Sequence, residues 1–440
     1  MSIESVAVAN NPEPGSARLI ILDPGHFHAS LIQREMYPGV DPRATVYAPL
    51  APELLDYLGR VSLFNNRKND PTRWRLDIHT GDDPLEHMLR DRSGNVVILA
   101  GRNRPKIDRI AAAVSAGFHV LADKPWIIAS QDLPKLETTL KTAEEKGLIA
   151  YDIMTERYEV TSELQRELVN TPEVFGELTE GTRREPAIIA RSIHYVMKIV
   201  SGVPLKRPAW FFNIEEYGEG LADVGTHVVD LVQWTAFADQ SIDYRKDICL
   251  IDARRWPLHL SAAQLALVTG DAEAAAGLAY YCDNSVSYTL RGIHVRLEIS
   301  WDWQAEPGRG DLYEANFRGT NASIQIRQGA PENHRPEVYV VPAHPKLRSA
   351  VFRALTQKIQ QLQNRWPGVA ISESEEGARL TMPERFRIGH EAHFAQVTNR
   401  FFQYFRNPQA LPIWENPNML AKYYVSTAGV DLSRKTESVS

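Results

Sequence analysis

Asp223, His227 and Asp230 lie close together in the segment G-L-A-D-V-G-T-H-V-V-D-L-V-Q-W, residues 220–234. They are spaced by four residues and then by three, so on a helix their side chains share one face. A histidine with a carboxylate one turn away suits general acid–base chemistry, because its pKa lies near neutrality and the carboxylate orients the ring. The alternatives are an amphipathic helix with a capping aspartate and a hydrogen-bonded histidine, or a metal site formed by the three residues.

A second polar group follows the first hydrophobic run, in the sequence L-D-P-G-H-F-H-A of residues 22–29. A dinucleotide-binding turn reads G-x-G-x-x-G, because its backbone approaches a pyrophosphate at a helix N-terminus. Only the central glycine, Gly25, is present here, and Asp23 and His28 occupy the other two positions. We interpret His26 and His28 as hydrogen-bond donors to phosphate, with half of a metal site as the alternative, and we predict no bound metal.

The third candidate is Lys124, in the sequence A-G-F-H-V-L-A-D-K-P-W of residues 116–126. The hydrophobic run predicts a buried strand that ends at Asp123, Lys124 and Pro125, at a sheet edge where ligands bind. A lysine at such an edge can hydrogen-bond a substrate hydroxyl and stabilise negative charge on its oxygen. The alternative is a surface turn with a solvated lysine.

The elements that position these residues fall into two parts. From residue 18 to about residue 150, short β-rich runs alternate with helical segments, which predicts a doubly wound parallel sheet with helices on both faces. The strands are expected at residues 19–22, 44–47, 74–78, 95–100, 118–122 and 148–150. Such sheets bind ligands at the carboxyl ends of their strands, where Gly25 and Lys124 would lie.

After residue 150 the pattern changes to longer β-rich runs, several of which alternate in polarity as strands with one solvated face do. Helices are expected at residues 160–169, 220–234, 347–366 and 390–405. We therefore predict an α/β protein with a flexible tail (1–17), a Rossmann-like dinucleotide-binding domain (18–150) and an α+β domain (151–440). The last of these would carry a large open, mainly antiparallel sheet for substrate binding and oligomerisation, and a C-terminal helical extension containing His390, Glu391 and His393.

Composition limits the class of protein. The chain has 440 residues, 43% hydrophobic and 24% charged, with a formal net charge of −6, so no nucleic-acid partner is expected. It contains no apolar run long enough to span a membrane, and its first 17 residues do not resemble a signal peptide, so no membrane partner is expected. Its two cysteines, Cys249 and Cys282, have no ligand-like spacing, and we predict a reduced, cytoplasmic location.

Two of these segments resemble the Gfo/Idh/MocA oxidoreductases, the glucose–fructose oxidoreductase and inositol dehydrogenase family. Residues 116–125 resemble the family signature A-G-K-H-V-L-x-E-K-P, and residues 220–230 resemble G-x-L-x-D-x-G-x-H-x-x-D. Asn103 stands where the family has the asparagine of T-P-N, and Arg157 and Tyr158 resemble its R-F/Y pair. These similarities occur in the family's order over residues 20–235.

The resemblance implies that the first domain binds NAD or NADP. The implied cofactor-binding residues are Gly25, His26, Phe27, His28, Asn103, Asp123, Lys124, Pro125 and Arg157. The chain departs from the family at Asp23 and His28, at Lys106 in place of a frequent histidine, and at its second strand, which ends without an acid for the ribose. Arg102 would suit a 2′-phosphate, so the choice between NAD and NADP stays open.

The resemblance also implies a dehydrogenase that moves hydride between a sugar, a cyclitol or a related polyol and the nicotinamide. His227 would be the general base, Lys124 would hold the same substrate oxygen, and Asp223 would orient His227 or bind a neighbouring hydroxyl. Trp210 is expected to stack on the sugar, Asp230 to be structural, and the protein to form a homo-oligomer. The alternatives are an NAD-assisted lyase or glycoside-cleaving enzyme with tightly bound cofactor, and a non-catalytic dinucleotide or sugar sensor.

Overall fold

The computed structural model describes residues 16–200, 203–270, 276–306 and 309–437. Residues 1–15 of the predicted tail lie outside this range, and Ala17 already begins the first strand.

The N-terminal part is built on a six-stranded parallel sheet. Its strands are β1 (Ala17–Leu22), β2 (Val40–Ala48), β3 (Arg75–Thr80), β4 (Val96–Leu99), β5 (His119–Asp123) and β6 (Ala150–Ile153). The spatial order is β3-β2-β1-β4-β5-β6, which is the order of a doubly wound Rossmann-type sheet. The strand order therefore reverses between β1 and β4, and a ligand crevice is expected there.

Helices cover both faces of this sheet. They are α1 (His28–Leu31), α2 (Pro52–Asn66), α3 (Pro84–Asp91), α4 (Lys106–Ser115) and α5 (Leu133–Glu145). Residues 19–22 and 96–99 are buried on both faces, which explains why their sequences are continuous hydrophobic runs without alternation. Helix α1 is short, ending at Leu31, and a single 3₁₀ turn follows it.

The second sheet has nine strands and is antiparallel except for one parallel pair. The strands after β6 are β7 (Ile188–Met197), β8 (Ile199–Val200), β9 (Val203–Pro204), β10 (Ile248–Leu260), β11 (Leu278–Leu290), β12 (Ile293–Gln304), β13 (Leu312–Arg318), β14 (Ala322–Arg327), β15 (Glu337–Pro342), β16 (Ala370–Glu373) and β17 (Ala378–Thr381). The sheet order is β10-β11-β12-β7-β13-β14-β15-β17-β16, while β8 and β9 form a separate pair. The predicted fold class is confirmed.

The remaining helices lie around this sheet and between the two sheets. They are α6 (Val160–Val169), α7 (Pro172–Phe175), α8 (Ile214–Tyr217), α9 (Gly225–Ala236), α10 (Tyr244–Asp247), α11 (Ala262–Thr269), α12 (Arg348–Leu362), α13 (His390–Arg406) and α14 (Glu415–Glu437). The helix predicted over residues 220–234 begins only at Gly225, so Asp223 lies in the turn that precedes it. Helix α9 contacts β7, β12 and α14 and is therefore buried on most of its surface.

The last two long helices return to the first sheet. Phe394, Phe401 and Phe402 of α13 belong to the same hydrophobic core as β1 and β2. On the other face, the hydroxyl of Tyr423 in α14 accepts a hydrogen bond from the backbone of Trp126, 2.9 Å away. The domain boundary at residue 150 stays a prediction, but the core of the first sheet includes side chains from both C-terminal helices.

Within the described ranges, no helix combines the length and the apolar character that crossing a membrane requires.

Candidate functional site

The crevice at the carboxyl ends of β1, β4 and β5 brings the sequence-predicted residues together. Lys124 follows β5, and its peptide bond to Pro125 is cis. Its Nζ lies 2.5 Å from Oδ1 of Asp223, and both side chains are almost completely buried. Burial alone would lower the pKa of Lys124, but the carboxylates of Asp223 and Asp123 outweigh it and raise the pKa above its usual value. The lysine is therefore a buried ammonium ion held at the edge of the sheet.

Asp223 does not have the geometry predicted for it. Because it precedes α9, it does not share a helical face with His227, and its side chain accepts a hydrogen bond from Lys124. Its backbone carbonyl accepts a hydrogen bond of 2.6 Å from the hydroxyl of Thr226, which closes the turn at the start of the helix. The contact of Asp223 is thus with the lysine and not with the histidine that it was expected to orient.

His227 lies in the first turn of α9 and is half-buried. Its Nδ1 atom is buried and has no hydrogen-bond partner among the described residues. Burial, and secondarily the charge of Lys124, hold the pKa of this imidazole well below its usual value. The ring is therefore neutral at physiological pH.

Asp230, one turn further along α9, belongs to an ion-pair cluster. Arg157 donates to both of its carboxylate oxygens, at 2.6 and 2.7 Å, and also to Glu415, at 2.8 Å. Lys422, which is 1% exposed, lies 3.4 Å from Asp230 and 2.9 Å from Asp152. Arg157 was expected to bind the cofactor, but its guanidinium group is engaged by two carboxylates that join α9 to α14.

The turn after β1 differs from a glycine-rich turn. Asp23 has a φ of 45°, and its carboxylate accepts a hydrogen bond from Arg109 at 2.5 Å. His28 is buried, with Nδ1 2.8 Å from Oδ2 of Asp123, while Nδ1 of His26 lies 3.4 Å from the same oxygen. Burial lowers the pKa of both histidines. The side chains expected to face phosphate are thus turned toward Asp123.

Trp210 and Asn103, two further predicted site residues, form hydrogen bonds with other residues of the protein. Trp210 packs beside the β1 turn, because a Cβ on Gly25 would lie 3.5 Å from its ring, and its Nε1 donates to Glu53 at 3.1 Å. Asn103 donates to the carbonyl of Tyr217 and accepts from Lys106, each at 2.7 Å. Trp210 was expected to stack on a sugar, but it lies over the turn predicted to bind the cofactor.

The sequence reasoning missed a group of polar residues on β7 and on the loop before β13. His194 lies 2.9 Å from Asp311 through Nδ1 and 3.0 Å from the hydroxyl of Ser192 through Nε2. Lys198 also pairs with Asp311. Burial raises the pKa of Glu156, against an opposing effect of the charge of His194. His194 and Asp311 are far apart in sequence, so no local pattern indicated their pairing.

The sequence comparison identifies the class of protein. Residues 164–434 match the family described as "Putative oxidoreductase C terminal domain". Because this match covers more than half of the chain, the protein belongs to that oxidoreductase family. The search of curated proteins found no match.

Solved structures with the same fold include one of high sequence identity. A "putative oxidoreductase" from Parabacteroides merdae is 42% identical, with a TM-score of 0.92, and the match covers 96% of this chain and 98% of that one. Levoglucosan dehydrogenase in complex with NADH is 14% identical, with a TM-score of 0.61 over 96% and 97% of the two chains. A biliverdin reductase from Synechocystis, in complex with biliverdin and NADP⁺, is 10% identical, with a TM-score of 0.58 over 94% and 98%. At these identities the last two establish the fold alone.

Proposed function

We propose that this oxidoreductase is a member of the Gfo/Idh/MocA family and transfers hydride between a CH–OH group of a sugar-like polyol and NAD or NADP. The observation that carries the proposal is the buried Lys124–Asp223 pair at the carboxyl end of β5, with the neutral His227 in the first turn of the neighbouring helix. A fixed ammonium ion and an imidazole with an unpartnered nitrogen are the groups that alcohol oxidation requires.

The structures of similar fold are consistent with this substrate class. Levoglucosan dehydrogenase was solved with NADH and with levoglucosan, which is a sugar derivative. We carry over only the general chemistry, in which residues 18–150 bind the nucleotide and residues 151–440 supply the substrate side of the crevice. The homo-oligomer and the cytoplasmic location stay predictions.

The residues of the crevice fit a dinucleotide. Asp23 would repel a pyrophosphate, but its carboxylate is paired with Arg109. A Cβ on Gly25 would contact Gly101 and the Trp210 ring, at 3.4 and 3.5 Å. Gly101 lets the ends of β1 and β4 approach, because a Cβ there would lie 2.5 Å from the carbonyl of Asp23. Gly25, Phe27 and Arg102 would hold the nucleotide, and Lys124 would lie toward its nicotinamide. NAD(P) supplies the hydride acceptor or donor when it is bound.

The residues of the chain perform the proton chemistry. The ammonium group of Lys124 binds the substrate oxygen and stabilises the negative charge that develops on it. His227 takes the proton of the same hydroxyl through its free nitrogen and returns it in the reverse direction. Asp223 keeps Lys124 charged and fixed.

The test begins with nucleotide binding and continues with turnover. Purified protein is denatured and the released nucleotides are identified by mass spectrometry, and then NAD⁺ and NADP⁺ are each mixed with a panel of sugars and cyclitols. We expect nucleotide binding and formation of reduced nicotinamide with at least one polyol, lost in His227→Ala and kept in the control His259→Ala, an exposed histidine. Absence of binding of either nucleotide, or full turnover by His227→Ala, would contradict the proposal.

A further inference from the structure

Three potential metal ligands meet beside the catalytic crevice. The side-chain donor atoms of His26, His28 and Asp123 all lie within 4.8 Å of one another. Both histidines direct Nδ1 toward the same oxygen of Asp123, at 3.4 and 2.8 Å. The two histidines come from the turn after β1, and Asp123 is the last residue of β5, so the order of the strands in the sheet creates the cluster.

The distances suit a small cation. Zinc binds imidazole nitrogen at about 2.0–2.1 Å and carboxylate oxygen at about 2.0–2.2 Å, so neighbouring ligand atoms in a tetrahedral site are about 3.3 Å apart. The 3.4 Å between His26 and Asp123 already has this value. The 2.8 Å between His28 and Asp123 is a hydrogen-bond distance, and a small outward shift of one side chain would admit the ion.

The two histidine nitrogens of the cluster differ in their hydrogen bonding. Nδ1 of His28 lies at hydrogen-bond distance from the Asp123 carboxylate, so this nitrogen would release its proton when it binds a cation, as metal ligands do. The Nδ1 atom of His26 has no hydrogen-bond partner, although it is buried and aimed at the cluster.

Two aromatic side chains and two lysines lie around the cluster. The ring of His28 lies 5.4 Å from that of His390 and 4.7 Å from that of Phe394, both on α13. Lys106 donates to the carbonyl of Asp123 at 3.0 Å, and Lys124 follows directly, so two lysines oppose the charge of a cation. Asp123 and Asp223 balance these two charges.

We infer that His26, His28 and Asp123 bind one divalent transition-metal ion of the zinc type. Two imidazoles and one carboxylate are a frequent ligand set for zinc, and three protein ligands leave a coordination position for an oxygen ligand. Because Lys124 directly follows Asp123 in the chain, the cluster lies next to the crevice. The ion would bind a hydroxyl or phosphate oxygen there. This inference does not depend on hydride transfer.

The test measures metal rather than activity. The protein is purified without chelators, its zinc content is determined by mass spectrometry, and the zinc-free protein is titrated with Co²⁺ and with Zn²⁺. We expect about one ion per chain, visible absorption bands of Co²⁺ bound by nitrogen ligands, and a rise in melting temperature with zinc. His28→Gln should weaken binding by about 100-fold or more, beyond the effect of removing an outer-shell partner.

The controls separate loss of the site from loss of the fold. His26→Gln is the mildest ligand variant, because His26 has the most exposed side chain of the three, at 16%. His79→Gln changes a partly exposed histidine on the edge strand β3 and should bind zinc as the wild type does. Absence of bound zinc and of cobalt bands in the folded wild type would overturn the inference, as would unchanged zinc affinity in folded His26→Gln. Either result would leave the dehydrogenase proposal standing.

Discussion

The two ends of the polar face of α9 differ in how completely their side chains are paired. At the first turn, His227 has a buried nitrogen without a hydrogen-bond partner among the described residues. One turn later, Asp230 accepts hydrogen bonds from Arg157 through both oxygens and lies near Lys422. Both residues are on one helix and both are surrounded by charged groups, yet of the two only His227 has a buried polar atom without a hydrogen-bond partner.

This difference separates residues that hold the structure from residues that can do chemistry. A buried polar group without a partner is unfavourable in the folded protein, so its presence needs an explanation, and binding a ligand provides one. Asp230 is instead paired with Arg157 and Lys422, and these ion pairs connect α9 to the segment after β6 and to α14. Variants at the two ends should therefore fail in different ways.

The largest effect is expected from Lys124→Met, at the reactive end. Without the ammonium ion nothing neutralises the substrate oxygen, and we expect kcat/KM to fall by about 10³-fold or more, about 4 kcal/mol of transition-state stabilisation. The measurement is turnover of the polyol found in the panel, with the melting temperature as a check on folding. The control Lys135→Met removes an exposed lysine that pairs with Asp108. Activity within a few-fold of the wild type would refute the role of Lys124.

Arg157→Met, at the saturated end, should primarily affect stability. It leaves Asp230 and Glu415 buried without their main counter-ion, which is expected to lower the free energy of unfolding by about 3–5 kcal/mol. Urea unfolding measures this change. Arg335→Met is the control, because Arg335 pairs with the exposed Glu384 and its loss should change the free energy of unfolding little.

The same variant also tests the role that the sequence assigned to Arg157. If Arg157→Met kept its stability but lost affinity for NAD(P), the arginine would be a cofactor ligand and the ends of α9 would not differ as described. We expect the opposite result: lower stability, with nucleotide affinity within about threefold of the wild type once the protein is folded.

The sequence was sufficient to predict the fold and to place Lys124 at the carboxyl end of a buried strand. Continuous hydrophobic runs such as residues 19–22 and 96–99 indicate strands buried on both faces, and the strand order then follows from the alternation with helices. The geometry of Asp223 was not predictable from helical spacing. A Cβ on Gly220 would lie 1.8 Å from the carbonyl oxygen of Cys282, so this part of the chain is pressed against β11 and forms a turn rather than a helix.

Contacts between distant segments account for what the sequence left out. Asp123 pairs with His28, which lies 95 residues earlier in the chain. His194 of β7 pairs with Asp311 in the loop before the neighbouring strand β13. The side chains of α13 complete the core of the first sheet, although this helix lies at the far end of the chain. Periodicity reports only which face of an element is buried, and not which element covers it.

The smallest effect is expected at Glu159, as a pH dependence of the free energy of unfolding. Glu159 follows Arg157 closely in the chain, and its carboxylate lies 3.8 Å from Nε2 of His393 in α13. Burial, and then the charge of Glu156, raise the pKa of Glu159 to about 7, against a partial opposing effect of Arg387 and of the backbone N–H groups of Thr161 and Val160. The folded protein therefore holds this proton more tightly than the unfolded chain. The resulting stabilisation is complete below pH 4.5, the ordinary value, and is lost as the pH rises through about 7.

Glu159→Gln, which mimics the protonated acid, isolates this contribution from other titrating groups. At pH 5 the variant and the wild type should have similar free energies of unfolding, and at pH 8 the variant should be more stable by about 1–3 kcal/mol. Urea unfolding across this range measures the difference. Curves that stay parallel would mean that Glu159 has the same pKa in the folded and the unfolded chain. Its position beside His393 of α13 would then add no pH dependence to the free energy of unfolding.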